Sequence, residues 1–282
     1  MGIARGGSAL VTGASTGVGE GFARALAGRG VDLMLSALPQ EAERLATLAD
    51  ELTDQHGVRC FTAAVDLAER EGPARLRAAA ERRRFEPDLL INNAGVRSAG
   101  AFASAPPDSW LGIVHVNVEA MVRLSRLFVP PMVERGSGAV VNVASTAAFQ
   151  PQPYFAVYGA SKAFVLSLGQ ALWAECRDEG VRVVTACVGP VETRPRSELG
   201  ADASAVSRFV IRRSLTPERV AETALEALAE DRPVVVMRMR GAAPLHGAVS
   251  LMRSALPLRR RLRLSARANR WLYGAGQDGK QA

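Results

Sequence analysis

The sequence has few aromatic, cysteine and histidine side chains. Phe, Tyr and Trp make up 5% of the 282 residues, and there are three cysteines and three histidines. The cysteines are odd in number and form no CxxC pair, which is typical of reduced thiols in a cytoplasmic protein. The histidines are scattered without the spacing of metal ligands, so metal chemistry is not expected. No apolar run approaches the roughly 18 residues of a membrane span, and the first residues lead directly into a strand-like segment rather than a signal peptide.

The basic charge is concentrated at the C-terminal end. The chain has a net charge of +7, and residues 253–282 contain 8 of its 35 Lys and Arg but only 1 of its 28 Asp and Glu. The rest of the chain is therefore formally neutral. The distribution indicates a basic tail attached to a neutral domain.

Short apolar runs alternate with longer amphipathic stretches along the first 240 residues. This alternation predicts parallel strands joined by right-handed helical crossovers. We expect an α/β fold, with a single Rossmann-type doubly wound domain at residues 1–240 and a seven-stranded, mostly parallel sheet flanked by helices. The predicted strands are 8–11, 31–36, 59–65, 88–91, 139–144, 181–188 and 233–237. The predicted helices include 40–55, 68–84, 108–135, 157–180 and 216–229, the last with Thr216 as its N-cap.

A glycine-rich turn follows the first predicted strand and reads TGASTGVG over residues 12–19. Strand, glycine turn and helix form the context that a phosphate-binding loop requires. Gly13 permits the tight turn, Gly17 lets the backbone approach a pyrophosphate, and Gly19 lets the helix pack closely on the strand. Because the helix N-terminus then faces the anion, the loop predicts nucleotide binding.

A serine, a tyrosine and a lysine near the fifth predicted strand suggest proton transfer. Ser145 ends that strand, Tyr158 follows it, and Lys162 comes four residues after Tyr158. Residues four apart lie on one helix face, so the ammonium group can favour the phenolate form of the tyrosine. Ser145 can hydrogen-bond the same substrate oxygen. The trio suits acid–base chemistry at a ketone or alcohol, although a Tyr–Lys pair alone is more often part of an amphipathic surface.

These motifs, together with NNAG at residues 92–95, stand in the order found in the short-chain dehydrogenase/reductase family, which the chain closely resembles over residues 8–237. The resemblance implies an NAD(P)-dependent oxidoreductase that interconverts a ketone and a secondary alcohol. The catalytic residues that it implies are Asn117, Ser145, Tyr158 and Lys162. The cofactor-binding residues that it implies are Gly13, Ser15, Thr16, Gly17, Val18, Gly19, Asp66, Leu67, Asn93, Ala94, Gly95, Tyr158, Lys162, Gly189, Val191 and Thr193. Val188 replaces the proline of the family's Pro-Gly motif.

The family's mechanism assigns a role to each catalytic residue. Tyr158 is the acid and base, Lys162 supports it and reaches the nicotinamide ribose, and Ser145 polarises the carbonyl oxygen. Asn117 helps to hold a water-linked proton path.

The end of the second predicted strand bears on the choice of cofactor. Ser36, Ala37 and Leu38 include no carboxylate that would bind a ribose 2′-hydroxyl and repel a 2′-phosphate. NADP(H) is therefore favoured. NAD(H) stays open, because Leu38 and Thr16 stand where phosphate-binding members often have arginine.

Residues 190–215 lie where the family covers its substrate. The arginines there are Arg194, Arg196, Arg208, Arg212 and Arg213. They either bind an anionic group, such as the phosphate of a carrier-bound acyl chain, or belong to a solvated lid. The aromatic residues Phe149, Tyr154, Phe155 and Phe209 are candidates for an apolar pocket.

Residues 241–282 form a basic C-terminal extension with a predicted amphipathic helix at 256–273. Arg260, Arg263, Arg267 and Arg270 fall on one stripe of that helix. The helix packs on its own sheet or a neighbouring subunit, lies on an anionic membrane as a peripheral contact, or meets an acidic protein. Nucleic acid binding is not expected, because no recognised binding fold accompanies the stripe.

The expected substrate is a small-molecule ketone or alcohol, chosen from the family's range as an apolar ketone, a ketoacyl group or a steroid-like molecule. A non-catalytic nucleotide-binding regulator is the alternative from another class, and an epimerase or dehydratase is a third. The resemblance also implies a homodimer or homotetramer formed through the helices near 108–135 and 157–180.

Overall fold

The protein, described here by a computed structural model over residues 6–192, 214–238 and 258–273, is built on one parallel sheet. The strands are β1 Ser8–Thr12, β2 Asp32–Ala37, β3 Cys60–Ala64, β4 Leu89–Asn92, β5 Gly138–Ser145, β6 Val181–Val188 and β7 Val234–Met237. Their order is β3-β2-β1-β4-β5-β6-β7, and every neighbouring pair is parallel. The predicted fold class is confirmed, with a sheet that is parallel throughout the described residues.

Helices cover both faces of the sheet. They are α1 Gly17–Ala27, α2 Ala42–His56, α3 Gly72–Arg82, α4 Pro107–Val114, α5 Met121–Glu134, α6 Ala156–Cys176, α7 Pro217–Ala229 and α8 Leu258–Tyr273. Consecutive strand residues point to opposite faces, so Val11 and Val141 pack towards α1, α2 and α7. Their neighbours Leu10 and Val140 pack towards α3, α5 and α6. Apolar side chains on both faces explain why these strands read as continuous hydrophobic runs.

Three predicted helix boundaries differ from the structure because of local turns. The predicted helix 68–84 begins at Gly72, because the Asp66 carboxylate accepts a hydrogen bond from the Ala68 backbone N–H at 2.8 Å and forms a separate turn. The predicted helix 40–55 begins at Ala42, after a 3-10 turn over Pro39–Glu41. The predicted helix 157–180 ends at Cys176.

The predicted helix 108–135 is present but interrupted. A wide π-helical turn, His115–Ala120, separates α4 from α5 and contains Asn117. Single π-helical turns are frequent at functional sites. This turn moves Asn117 out of the ordinary helical register and towards the loop that follows β4.

The two ends of the predicted lid meet beside β6. Val191 and Leu215 form a parallel bridge, and the Glu192 backbone N–H donates to the Leu215 carbonyl oxygen at 2.9 Å. The Thr216 side chain then caps α7 by accepting from the Arg219 N–H at 3.3 Å, as predicted. The lid arginines and Phe209 lie outside the described residues.

The predicted C-terminal helix is present as α8. Arg260, Arg263 and Arg267 are exposed on it, whereas Leu262 and Ala266 are half-buried. Within the described residues, no helix has the length and apolar character needed to cross a membrane. The division of the chain near residue 240 stays a prediction.

Candidate active site

One cleft of about 700 Å³ opens at the C-terminal ends of the strands. It lies where the strand order changes direction between β1 and β4, which is the usual ligand position in an open parallel sheet. The predicted site residues in its wall are Gly13, Ser15, Thr16, Gly17, Val18, Asp66, Leu67, Asn93, Ala94, Gly95, Ser145, Tyr158, Lys162, Gly189 and Val191. Gly19 and Asn117 are outside this wall, and Thr193 lies outside the described residues.

The glycine-rich loop has the backbone that only glycine adopts easily. Gly13 and Gly17 have φ values of +62° and +56°. A Cβ atom on Gly19 would lie 2.0 Å from the Gly13 carbonyl oxygen, so α1 packs directly on the loop. The Asn93 amide ties the next loop to it by donating to the Thr12 and Gly13 carbonyl oxygens at 2.9 and 3.0 Å.

The N-terminus of α1 suits an anion. Thr16 precedes the helix in an extended conformation, and its side chain forms no capping hydrogen bond. The first backbone N–H groups of a helix have no intrahelical acceptor, and they carry the positive end of the helix dipole. Because Thr16, Gly17 and Val18 line the cleft, the loop fits the phosphates of a dinucleotide.

Tyr158 and Lys162 lie one helical turn apart on the cleft side of α6. The Lys162 Nζ atom is 5.9 Å from the centre of the Tyr158 ring and donates to the Val143 carbonyl oxygen at 3.0 Å. Burial lowers the pKa of Lys162 to about 8. Ser145 Oγ accepts from the Ala147 N–H at 3.2 Å, which leaves its own proton available for a substrate oxygen.

Asn117 lies behind the cleft, against the loop after β4. Its Oδ1 accepts from the Val96 N–H at 2.8 Å, and its Nδ2 donates to the Val96 carbonyl oxygen at 2.9 Å and to Ser161 Oγ at 3.0 Å. With Lys162 it borders a cavity of about 10 Å³, which is close to the space that one water molecule needs. Asn117 and Lys162 therefore share this small cavity, whereas of the two only Lys162 lines the main cleft.

The cleft wall also contains four polar side chains that the sequence analysis did not single out. They are Glu41, Arg97, Thr146 and Gln152. Arg97 comes two residues after NNAG, Thr146 follows Ser145 directly, and Gln152 lies between Ser145 and Tyr158. Proximity to these motifs is the signal that could have indicated all three. Glu41 reaches the cleft through the 3-10 turn, which no periodicity indicated.

Other expectations can be checked against the structure. Phe155 lines the cleft, but Phe149 and Tyr154 are not part of its wall. Asp32, at the start of β2, pairs with Arg59 and is not part of the cleft wall. Cys60, Cys176 and Cys187 are free thiols, and no cluster of potential metal ligands occurs in the described part of the chain.

The comparisons with known proteins identify the family. Residues 8–204 match the model of the short chain dehydrogenases, so the chain belongs to the short-chain dehydrogenase/reductase family. It is accordingly an oxidoreductase that acts on CH–OH groups with a nicotinamide cofactor. This family membership supports the enzyme hypothesis over the alternative of a non-catalytic regulator.

Three relatives illustrate the match. The chain is 35% identical over 188 residues to a very-long-chain 3-oxoacyl-CoA reductase of Anas platyrhynchos, covering 65% of this chain and 59% of that protein. A short-chain dehydrogenase from Sphingobium yanoikuyae in complex with NADPH is 30% identical, with a TM-score of 0.72, and the match covers 89% and 97% of the two chains. A 7β-hydroxysteroid dehydrogenase is 25% identical with a TM-score of 0.78, covering 87% and 93%.

Proposed function

We propose that the protein interconverts an apolar ketone and its secondary alcohol, acting mainly as an NADPH-dependent reductase. The observation that carries the proposal is that Ser145, Tyr158 and Lys162 share a cleft with the uncapped N-terminus of α1. A bound nicotinamide would supply or accept the hydride, and the side chains would supply position and protons.

Each side chain has a distinct part in this proposal. Tyr158 donates a proton to the carbonyl oxygen during reduction and accepts it during oxidation. Ser145 donates a hydrogen bond to the same oxygen and favours the charge that develops there. Lys162 holds a positive charge beside Tyr158 and reaches the ribose of the nicotinamide. Asn117 helps to hold a water molecule in the small cavity that it shares with Lys162.

The substrate side of the cleft supports an apolar ketone. Val96 and Phe155 provide apolar surface in the cleft outside the predicted cofactor residues, and Arg97 and Gln152 supply polar groups. The names of two relatives refer to 3-oxoacyl-CoA and to a hydroxysteroid. We therefore propose a ketoacyl or steroid-like substrate.

NADP(H) is the proposed cofactor, with NAD(H) as the alternative. The proposal rests on the absence of a carboxylate at Ser36, Ala37 and Leu38, which line the cleft at the end of β2. The Sphingobium relative in complex with NADPH supports it. Glu41 opposes this preference, because it brings a carboxylate to the cleft from a different element.

A tyrosine substitution tests the reaction. Tyr158→Phe removes the transferable proton, and we expect kcat for ketone reduction to fall by at least ~100-fold. The dissociation constant for NADPH, measured by fluorescence titration, should change little. Tyr154→Phe is the matched control, since Tyr154 is near but outside the cleft wall, and it should keep full activity. Undiminished turnover in Tyr158→Phe would contradict the proposed role.

The proposed partners are a second copy of the chain and an acidic surface. The helices near the predicted interface expose apolar side chains, namely Leu111, Val114, Val122 and Phe164. These support a homodimer or homotetramer. The exposed arginines of α8 support a peripheral contact with an anionic membrane or an acidic protein. A cytoplasmic location stays a prediction.

A further inference from the structure

Glu41 brings a negative charge to the end of the cleft beside the C-terminus of β2. The residues at that strand end, Ser36, Ala37 and Leu38, carry no charge. The 3-10 turn Pro39–Glu41 places this residue directly before α2. Its carboxylate lines the cleft, and its Oε2 accepts a hydrogen bond from Ser15 Oγ at 2.8 Å. The turn after β2 is thereby tied to the glycine-rich loop.

No positive charge compensates the Glu41 carboxylate within the described residues. Arg44, three residues further along the chain, could supply a compensating charge, but it is largely exposed. Its Nη2 atom pairs instead with Glu20 Oε2, at 3.7 Å. Glu41 itself is half-buried, so water screens it incompletely. A second anionic group entering this end of the cleft would therefore meet an uncompensated charge.

The same end of the cleft contains an unused hydroxyl group. Ser36 is 1% exposed and belongs to the cleft wall, and its Oγ has no hydrogen-bond partner among the described residues. A buried polar atom without a partner costs free energy unless a ligand or water satisfies it. A carboxylate and a free hydroxyl together suit the hydroxyl groups of a sugar, since the carboxylate accepts and the serine can donate or accept.

We propose that Glu41 determines the choice between the two nicotinamide dinucleotides, by accepting a ribose hydroxyl and repelling a 2′-phosphate. The carboxylate comes from the turn before α2 and substitutes for an acidic residue at the end of β2. The inference rests on the proposed function, because it requires a dinucleotide in this cleft. It limits the preference for NADP(H) that the neutral strand end favours.

The experiment measures dissociation constants of NADH and NADPH by isothermal titration calorimetry, with no ketone present. Glu41→Gln removes the charge and keeps an oxygen that can accept from Ser15. We expect the ratio of NADPH to NADH affinity to rise by about tenfold, because the repulsion is lost and the contact to the hydroxyl weakens. In the parent this ratio should also rise with salt, and in the variant it should be nearly independent of salt.

Glu43→Gln is the matched control, because Glu43 is exposed in the first turn of α2 and does not line the cleft. It removes the same charge and should leave the ratio within about twofold of the parent. A second variant, Glu41→Asp, keeps the charge and should keep most of the discrimination. Thermal unfolding of each variant shows whether it is folded.

The outcomes separate the inference from the proposed function. An unchanged ratio in Glu41→Gln, or an equal loss of affinity for both dinucleotides, overturns the role of Glu41 and leaves the dinucleotide site intact. A parent protein that binds neither dinucleotide overturns both. A selective gain in affinity for NADPH in Glu41→Gln, not reproduced by Glu43→Gln, supports the inference.

Discussion

Lys162 is a buried cation with few compensating contacts among the described residues. It is 6% exposed, and its ammonium group donates to one backbone carbonyl oxygen, that of Val143. Burial lowers its pKa to about 8, and the neighbouring Cys187 thiol has a pKa raised by burial to about 12. Near neutral pH the free enzyme therefore holds a charge that the fold disfavours. A ligand with hydroxyl acceptors near Nζ would relieve that cost.

The stability of the free enzyme should consequently depend on the charge of Lys162. The folded pKa of about 8 lies below the ordinary value of 10.5, so the unfolded chain binds more protons between these pH values. The free energy of unfolding should therefore gain about 3 kcal/mol from this group as the pH rises from 8 to 10.5. Lys162→Met removes the charge, so its advantage over the parent in urea unfolding should be largest at pH 7 and shrink towards pH 10.5. A difference that stays constant over this range would contradict the prediction.

The glycine-rich loop and α1 depend on one close contact. In Gly19→Ala the new methyl group would meet the Gly13 carbonyl oxygen at 2.0 Å, so the helix or the loop must shift. We expect a loss of about 1–3 kcal/mol in unfolding free energy, together with weaker dinucleotide binding by calorimetry. Gly112→Ala is the control, because a Cβ there in α4 meets nothing within 4 Å. It should be neutral or stabilise the helix by up to about 1 kcal/mol. Tight dinucleotide binding in Gly19→Ala would show that the contact does not shape the loop.

The elements differ in how far the sequence predicts them. The strands were predicted to within one or two residues, because apolar side chains on both faces produce continuous hydrophobic runs. The glycine-rich loop and the Tyr158–Lys162 spacing were predicted equally well, since local geometry determines them. The π-helical turn was not predicted, because it coincides with hydrogen bonds between Asn117 and Val96, which are 21 residues apart in sequence. The position of Glu41 was missed for a similar reason, since it meets Ser15 across 26 residues.

At the scale of the whole molecule, the helices near the predicted interface leave apolar surface uncovered. Leu111 is 50% exposed on α4 and Val114 lies one turn further along. Exposed apolar groups on neighbouring elements are typical of interaction sites. We expect a dimer or tetramer in analytical ultracentrifugation, and Leu111→Arg should weaken it by at least ~10-fold, because it buries an unpaired charge. Ala46→Arg, at an exposed position on α2, should leave the assembly unchanged. A monomeric parent at micromolar concentration would contradict the prediction.

The uneven charge of the molecule leads to a prediction for α8. The tail holds an excess of seven positive charges over an otherwise neutral chain, and Arg260, Arg263 and Arg267 are exposed on α8. Each basic residue near an anionic bilayer contributes about 1 kcal/mol, so replacing all three by Gln should lower vesicle binding by about 100-fold. The measurement is cosedimentation with vesicles that contain anionic lipid, and neutral vesicles and high salt should both abolish binding in the parent.

Binding that survives the triple substitution would contradict the electrostatic contact. A parent that binds no vesicles but changes its assembly state in the triple variant would instead place α8 at a subunit interface.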